Sequence, residues 1–198
     1  MRSMTKGRSP KRRVAQEIVL HGNLVDVFGI GVLILGESGT GKSECALDLV
    51  DRGHRLVADD VIRIWKENQE VLVGEGDSSL RHHMEIRGLG IINVADLYGV
   101  SAIRHRQRVE LVVQLETWDA KKEYDRLGID EHRYSLLGSQ IPMVTIPVTA
   151  GRNIAILIEV AARNHLLKLM GVYSARDFSD RLTGRISRKS GPIEEGGR

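Results

Sequence analysis

The chain has 198 residues, 41% hydrophobic and 28% charged, a composition that excludes collagen-like, mucin-like and wholly disordered classes. No run approaches the roughly 18–20 apolar residues that a membrane helix needs, and the lone cysteine, Cys45, excludes an internal disulfide framework and suits a reducing compartment. The net charge of +3 is unevenly placed: residues 1–13 carry +6, residues 171–198 carry +2, and the body between them carries −5. The surplus therefore reads as two tails on an acidic body and not as a nucleic-acid footprint.

Residues 1–17 form a basic arm with no apolar stretch before Val14, which excludes a secretory signal and predicts a solvated, disordered segment. One mixed α/β domain is expected over residues 18–187 and a loose tail over 188–198. Strands are expected at Leu24–Phe28 and Val32–Leu35, separated by Gly29-Ile30-Gly31. A helix should run from Ser43 to Arg52, with Ala46, Leu47, Leu49 and Val50 on its apolar side and Gly53 as its stop. Arg55–Ala58 reads as a buried strand ending at Asp59-Asp60. Val61–Trp65 and Glu70–Val73 read as a hairpin across Lys66–Gln69.

Met84–Val94 is an apolar run punctuated by glycine, and Arg108–Leu115 and Met143–Val148 read as strands. Asn153–Met170 carries the clearest helical pattern, with Ile154, Leu157, Ile158, Ala161, His165 and Leu169 at three- and four-residue steps and Gly171 as its stop. Ala175–Ile186 predicts a last amphipathic helix.

Gly36-Glu37-Ser38-Gly39-Thr40-Gly41-Lys42-Ser43 matches G-x-x-x-x-G-K-[ST] in full, between an apolar strand and a helical pattern. Three glycines let consecutive backbone N–H groups turn inward as an anion nest, and the helix that follows aims its N-terminal dipole at the same place. Lys42 is then placed to reach nucleotide phosphates, and Ser43 to offer a hydroxyl to Mg²⁺.

Asp59 and Asp60 end the next strand, where ligands gather in open α/β sheets. Adjacent side chains on a strand point to opposite sides, so the two acids should differ in role; the plainer reading is a pair of turn or capping aspartates. The protein-kinase triplets H-R-D and D-F-G and the guanine specifier N-K-x-D are absent. The residues thus point to Mg-nucleotide binding and phosphoryl transfer, without naming an acceptor.

Several segments together resemble the catalytic domain of the HPr kinase/phosphorylase family. The most specific is Glu85–Val94, which spells EIRGLGIINV. It is accompanied by Leu20-His21-Gly22, Gly53–Asp60, Tyr124–Gly128, Ile146-Pro147-Val148 and Gly151-Arg152-Asn153, in family order from Ile18 to Gly171.

The resemblance implies a P-loop kinase domain with a largely β, mixed central sheet and flanking helices. It also implies a bacterial, cytoplasmic, homohexameric enzyme that uses ATP or pyrophosphate with Mg²⁺. Such an enzyme phosphorylates a serine of the phosphocarrier protein HPr and removes that phosphate by phosphorolysis.

Carried over by position, the catalytic set is His21, Lys42, Asp60 and Arg126, with Asp60 taking the serine proton and returning one in reverse. The nucleotide cradle is Gly36, Glu37, Ser38, Gly39, Thr40, Gly41, Lys42 and Ser43. The metal set is Ser43 and Glu85, with Asp59 as metal or positioning partner. The loop tied to dephosphorylation and HPr docking is Pro147, Val148, Thr149, Ala150, Gly151 and Arg152.

Two departures from the family pattern stand out. The family loop reads P-V-R-P-G-R, whereas Thr149 and Ala150 stand here where an arginine and a proline are usual. One phosphate-binding charge is lost, which bears on the phosphorolytic half-reaction. Members also carry a further N-terminal domain, to which residues 1–17 do not correspond. The competing readings are a P-loop kinase for another protein or a small molecule, and a non-catalytic nucleotide-dependent regulator. Neither a membrane nor a nucleic-acid partner is expected.

Overall fold

The computed structural model describes residues 16–68, 71–125, 128 and 130–189. Residues 1–15 of the expected basic arm, Arg126 and residues 190–198 lie outside the described residues, whereas Glu17, expected in the arm, opens the first strand.

Three layers make the domain. A six-stranded sheet has the order β11-β12-β10-β3-β2-β4, formed by His132–Leu136, Ser139–Val148, Leu111–Thr117, Ile30–Gly36, Asn23–Val27 and Arg55–Ala58 respectively. A four-stranded sheet has the order β1-β5-β6-β9: Glu17–His21, Val61–Glu67, Val71–Gly76 and Arg106–Arg108. Helices α1 (Lys42–Asp51) and α3 (Ile154–Leu169) cover the other face of the larger sheet. A small hairpin of β7 (His83–Ile86) and β8 (Gly90–Asn93) leads into α2 (Val94–Tyr98), and α4 (Ser174–Lys189) follows α3.

The central strands are continuous apolar runs because both their faces are buried. Along β3, Val32 and Ile34 face the helices, whereas Leu33 and Leu35 face the smaller sheet. β10 repeats the alternation, with Leu111, Val113 and Leu115 on the helix side and Val112 on the other. Two cores therefore share one sheet, and period-2 geometry assigns each side chain to one of them.

The sheet is mixed. β3, β10 and β12 run parallel, while β2, β4 and β11 run antiparallel to their neighbours. In register, Gly36 lies opposite Leu115, and Thr117 lies opposite Val148. The carboxyl ends of three parallel strands thus open at one edge, and three loops leave from it.

The structure redraws two expected elements. The expected strand Arg108–Leu115 is two strands, β9 and β10, in different sheets, with the chain passing between them at Val109-Glu110. On α3 the buried residues are Ala155, Ile158 and Ala162, and Leu169 is exposed. Of the apolar stripe read from the sequence, Ile154, Leu157, Ile158 and Ala161 pack on the helix-side core, and the deepest face extends to Ala155 and Ala162, whose small size lets the helix approach the sheet. The run Met84–Val94 resolves into the β7–β8 hairpin and the start of α2.

Candidate functional site

The glycine loop joins β3 to α1. Gly36, Gly39 and Gly41 all have positive φ, of 156°, 84° and 84°, a backbone course that side chains with a Cβ resist. At Gly36 space adds a second reason, since a Cβ there would lie 2.6 Å from the Leu115 carbonyl oxygen. Thr40 Oγ1 donates to the Glu37 carbonyl at 2.8 Å and holds the loop shut on itself. The Lys42 ammonium donates to the carbonyls of Gly36 and Glu37, both at 3.0 Å. These are neutral partners, so the full positive charge remains available to an anion.

The two aspartates diverge as expected, but through a turn and not through strand alternation, since both lie beyond the end of β4. Asp59 turns inward: its Oδ1 accepts from Ser43 Oγ at 2.9 Å and from Asn23 Nδ2, and its Oδ2 accepts from the Glu85 backbone N–H at 3.3 Å. Burial pushes the Asp59 carboxyl above the usual aspartate range, against the pull of those three donors, and neighbouring Asp60 adds to the rise.

Asp60 turns outward with a side chain 71% exposed, and its Oδ1 lies 3.6 Å from Nδ1 of the equally open His21. Its φ of 63° is left-handed, and the Val61 N–H reaches back to the Asp59 carbonyl at 2.8 Å across it. A three-residue turn of that kind is strained for a residue with a side chain.

The segment His21-Gly22-Asn23 reads both aspartates. His21 meets Asp60, the Gly22 N–H donates to the Asp60 carbonyl at 3.0 Å, and Asn23 donates to Asp59. Gly22 is needed by space, since a Cβ would lie 2.6 Å from the Ile34 carbonyl oxygen.

The β7–β8 hairpin, which carries most of EIRGLGIINV, lies beside the glycine loop: a Cβ on Gly39 would be 3.9 Å from an Arg87 guanidinium nitrogen. Glu85 is exposed at this place. The loop after β12 folds on itself, with Arg152 donating through Nη1 to the Pro147 carbonyl at 2.9 Å and through its backbone N–H to Thr149 at 3.2 Å. The Trp118 N–H bonds the Val148 carbonyl at 3.2 Å and ties this loop to the end of β10. Beyond it a broad cleft of about 1950 Å³ opens between α3 and β12, with Arg152, Pro147 and His165 in its wall.

Of the residues expected from the sequence, the structure brings Lys42, Ser43, Asp59, Asp60, His21 and the Glu85 backbone into one neighbourhood. Arg126 lies outside the described residues. Among the described residues no three His, Cys, Asp or Glu side chains converge as a metal cage. A magnesium ion carried in with phosphates needs only one or two carboxylates, so this donor set fits Mg²⁺ and not a self-sufficient transition-metal site. Cys45 is buried, and burial pushes its thiol up to about 12. Sequence reasoning passed over Asn23, a residue 1% exposed. The signal was a polar residue opening a strand whose next residues, Leu24 and Val25, are apolar.

A glycine-rich loop between a central parallel strand and a covering helix, in a large mixed sheet flanked by helices, defines the class: a mixed α/β domain. The chain belongs to the family described as the HPr Serine kinase C-terminal domain, whose model matches residues 12–182.

The chain is 57% identical over 84% of its length to the HPr kinase/phosphorylase of Geobacter sulfurreducens, and 52% identical over 88% to that of Bacillus cereus. It spans 52% and 56% of those two proteins, about half the length of the curated relatives it matches. A solved structure titled as the HPr(Ser) kinase/phosphatase from Coxiella burnetii superposes with a TM-score of 0.72 at 38% identity, covering 81% of this chain and 98% of that one. No helix among the described residues is long and apolar enough to cross a membrane.

Proposed function

We propose that this domain transfers the terminal phosphoryl group of ATP, or one phosphoryl group of pyrophosphate, to a serine of HPr or an HPr-like carrier, with Mg²⁺. We propose further that it acts as a homohexamer in the cytoplasm and also runs the reverse, phosphorolytic reaction. One observation carries the kinase reading: the adjacent aspartates divide the work, Asp59 held inward on Ser43 and Asp60 held outward in solvent beside His21. Small-molecule sites are typically concave and enclose their ligand. An acid 71% exposed suits a hydroxyl borne on another protein's surface.

In this reading the glycine loop and the α1 N-terminus bind the phosphates, and Lys42 exchanges its two carbonyl partners for phosphate oxygens. Ser43 and Asp59 hold the metal side, with Glu85 close by as a second carboxylate. The ion, once bound with nucleotide, neutralises charge on the transferring group. Asp60 accepts the proton of the acceptor serine as its oxygen attacks, and His21 keeps that carboxylate aimed. Arg126 completes the set by family position as a cation for the equatorial oxygens. In reverse, Asp60 returns a proton to the serine oxygen as inorganic phosphate takes the phosphoryl group. The turn closed by Arg152 on Pro147 stands at the same sheet edge and is assigned to docking HPr and to phosphorolysis.

The test is incubation with labelled ATP, Mg²⁺ and purified HPr. Labelled phosphoserine on HPr is expected, with a loss of at least about a hundredfold in Asp60→Ala. ATP turnover with HPr left unlabelled would transfer the reading to another acceptor; nucleotide binding without any turnover would leave a regulator.

A further inference from the structure

Asn23 performs no task in the scheme above, yet it is the most buried polar side chain at the site. It opens β2, paired across to Ile34 on β3 and next to Leu24, which pairs with Ala58 on β4. At 1% exposure it sits inside the sheet layer. Its amide nitrogen donates to Asp59 Oδ1, the oxygen that also receives Ser43 Oγ. Its amide oxygen, Oδ1, is buried and has no hydrogen-bond partner among the described residues.

The chemistry of an amide at this place is specific. A carboxylate oxygen accepts only, so the atom facing Asp59 must be the donating NH₂, and the orientation of Asn23 follows from its partner. A leucine or valine would suit an apolar strand better. Burying an amide with half its capacity unused is unfavourable unless the other half meets a partner.

We infer that Asn23 is a positioning residue of the metal site: its NH₂ fixes Asp59 on Ser43 and so aims the carboxylate at the divalent cation. The inference rests on the metal reading of Ser43 and Asp59 given above. Asp59 Oδ1 holds two donors, and among the described residues Oδ2 holds only the long bond from the Glu85 N–H, which leaves one edge of the carboxylate for the cation. Removing the amide frees Asp59 to rotate about Cα–Cβ and leaves Ser43 as its one remaining side-chain tether among the described residues. Groups that orient a metal ligand from behind change metal affinity by roughly 10–100-fold when lost.

The probe is Mn²⁺ with ADP, followed by the electron paramagnetic resonance of free Mn²⁺ and by thermal unfolding with EDTA or Mn²⁺. Asn23→Leu should weaken Mn²⁺ binding by about tenfold or more while leaving ADP binding in EDTA within about twofold of wild type. Asn23→Asp should act in the opposite sense. Two facing carboxylates lower its melting temperature in EDTA, and Mn²⁺ should raise that temperature by more than it does in the wild type.

A residue that merely packs would shift both melting temperatures alike, whatever the metal. Equal Mn²⁺ affinities, or equal Mn²⁺-induced shifts in wild type and Asn23→Asp, would overturn the inference. If Asn23→Leu does not fold, the Asn23→Asp comparison alone decides it. Absence of Mn²⁺ binding by the wild type would overturn the metal reading, and this inference with it; normal wild-type binding matched by both variants would overturn this inference only.

Discussion

The two ends of α1 treat charge in opposite ways. At its N-terminus Lys42 rests on backbone carbonyls and Ser43 on a carboxylate, so a full ammonium and the helix dipole remain open to an incoming anion. At its C-terminus the charges are consumed within the fold. Arg52 pairs with Asp48 at 3.0 Å and reaches Glu159 of α3, and His54 Nε2 donates to Glu159 Oε1 at 2.9 Å. The His54 ring also meets the edge of Phe28, whose face carries the Arg163 guanidinium 4.2 Å from its centroid. One helix thus has a reactive end and an anchored end. The difference teaches that the helix following the glycine loop is anchored from behind, by ties between its C-terminal end and α3 that lie away from the loop.

If that division is real, substitutions at the two ends should separate activity from stability. The largest effect is expected at the open end. Lys42→Ala should lower phosphoryl transfer by on the order of a hundredfold to a thousandfold, while thermal unfolding without nucleotide stays near wild type. A large fall in melting temperature would mean that the lysine holds the loop together, contrary to the comparison.

At the anchored end, Glu159→Ala leaves His54 buried without its acceptor and should cost about 1–3 kcal/mol in urea unfolding. Turnover per folded molecule should hardly change; an equal loss of turnover would erase the distinction between the ends.

Cys45 lies on the buried side of the same helix. Burial holds its thiol neutral far above physiological pH, so iodoacetamide should label the native protein only at the rate of unfolding and the denatured protein at once. Fast native labelling would show that the reactive end opens further along α1 than drawn here.

The smallest effect concerns His165 on α3. Burial lowers its imidazole below the ordinary value of 6.5. The folded state therefore prefers the neutral ring: its contribution is complete above 6.5 and declines as pH falls through and below that value. His165→Gln should flatten the acid limb of the melting-temperature profile between pH 7 and 5, by a small amount; an unchanged limb would remove His165 as its source.

Much of this was legible in the sequence, for identifiable reasons. The glycine loop is read from spacing because its geometry is local, and the observed α1 and β4 differ from the expected elements by a residue or none. That Asp59 and Asp60 diverge was anticipated from strand alternation, but the cause is the left-handed turn at Asp60 beyond the end of β4, which no local pattern announces. The break at Val109-Glu110 was illegible because Arg108-Val109-Glu110-Leu111 alternates polar and apolar with no turn signal, and the change of sheet is decided by partners far along the chain. The share of Ala155 and Ala162 in the packed face of α3 was missed for a related reason: they weigh little in a hydrophobic pattern, yet their small size lets the helix seat. Asn23 carried no motif, since its meaning depends on Asp59, 36 residues away.

The left-handed turn at Asp60 has a further consequence. Here the chain leaves the six-stranded sheet at β4 and enters the four-stranded sheet at β5, and alongside it His21-Gly22 makes the opposite passage from β1 to β2. Asp60, proposed above to handle the proton, therefore sits on the stitch that joins the two sheets, where one residue more or fewer would shift the facing of an entire strand. Lengthening either passage to tune the site is closed to design and drift alike, because the same change would unpick the layer interface. Variation that leaves both sheets in register must enter through the loops at the far ends of β10 and β12, and that is where Thr149-Ala150 departs from the family pattern.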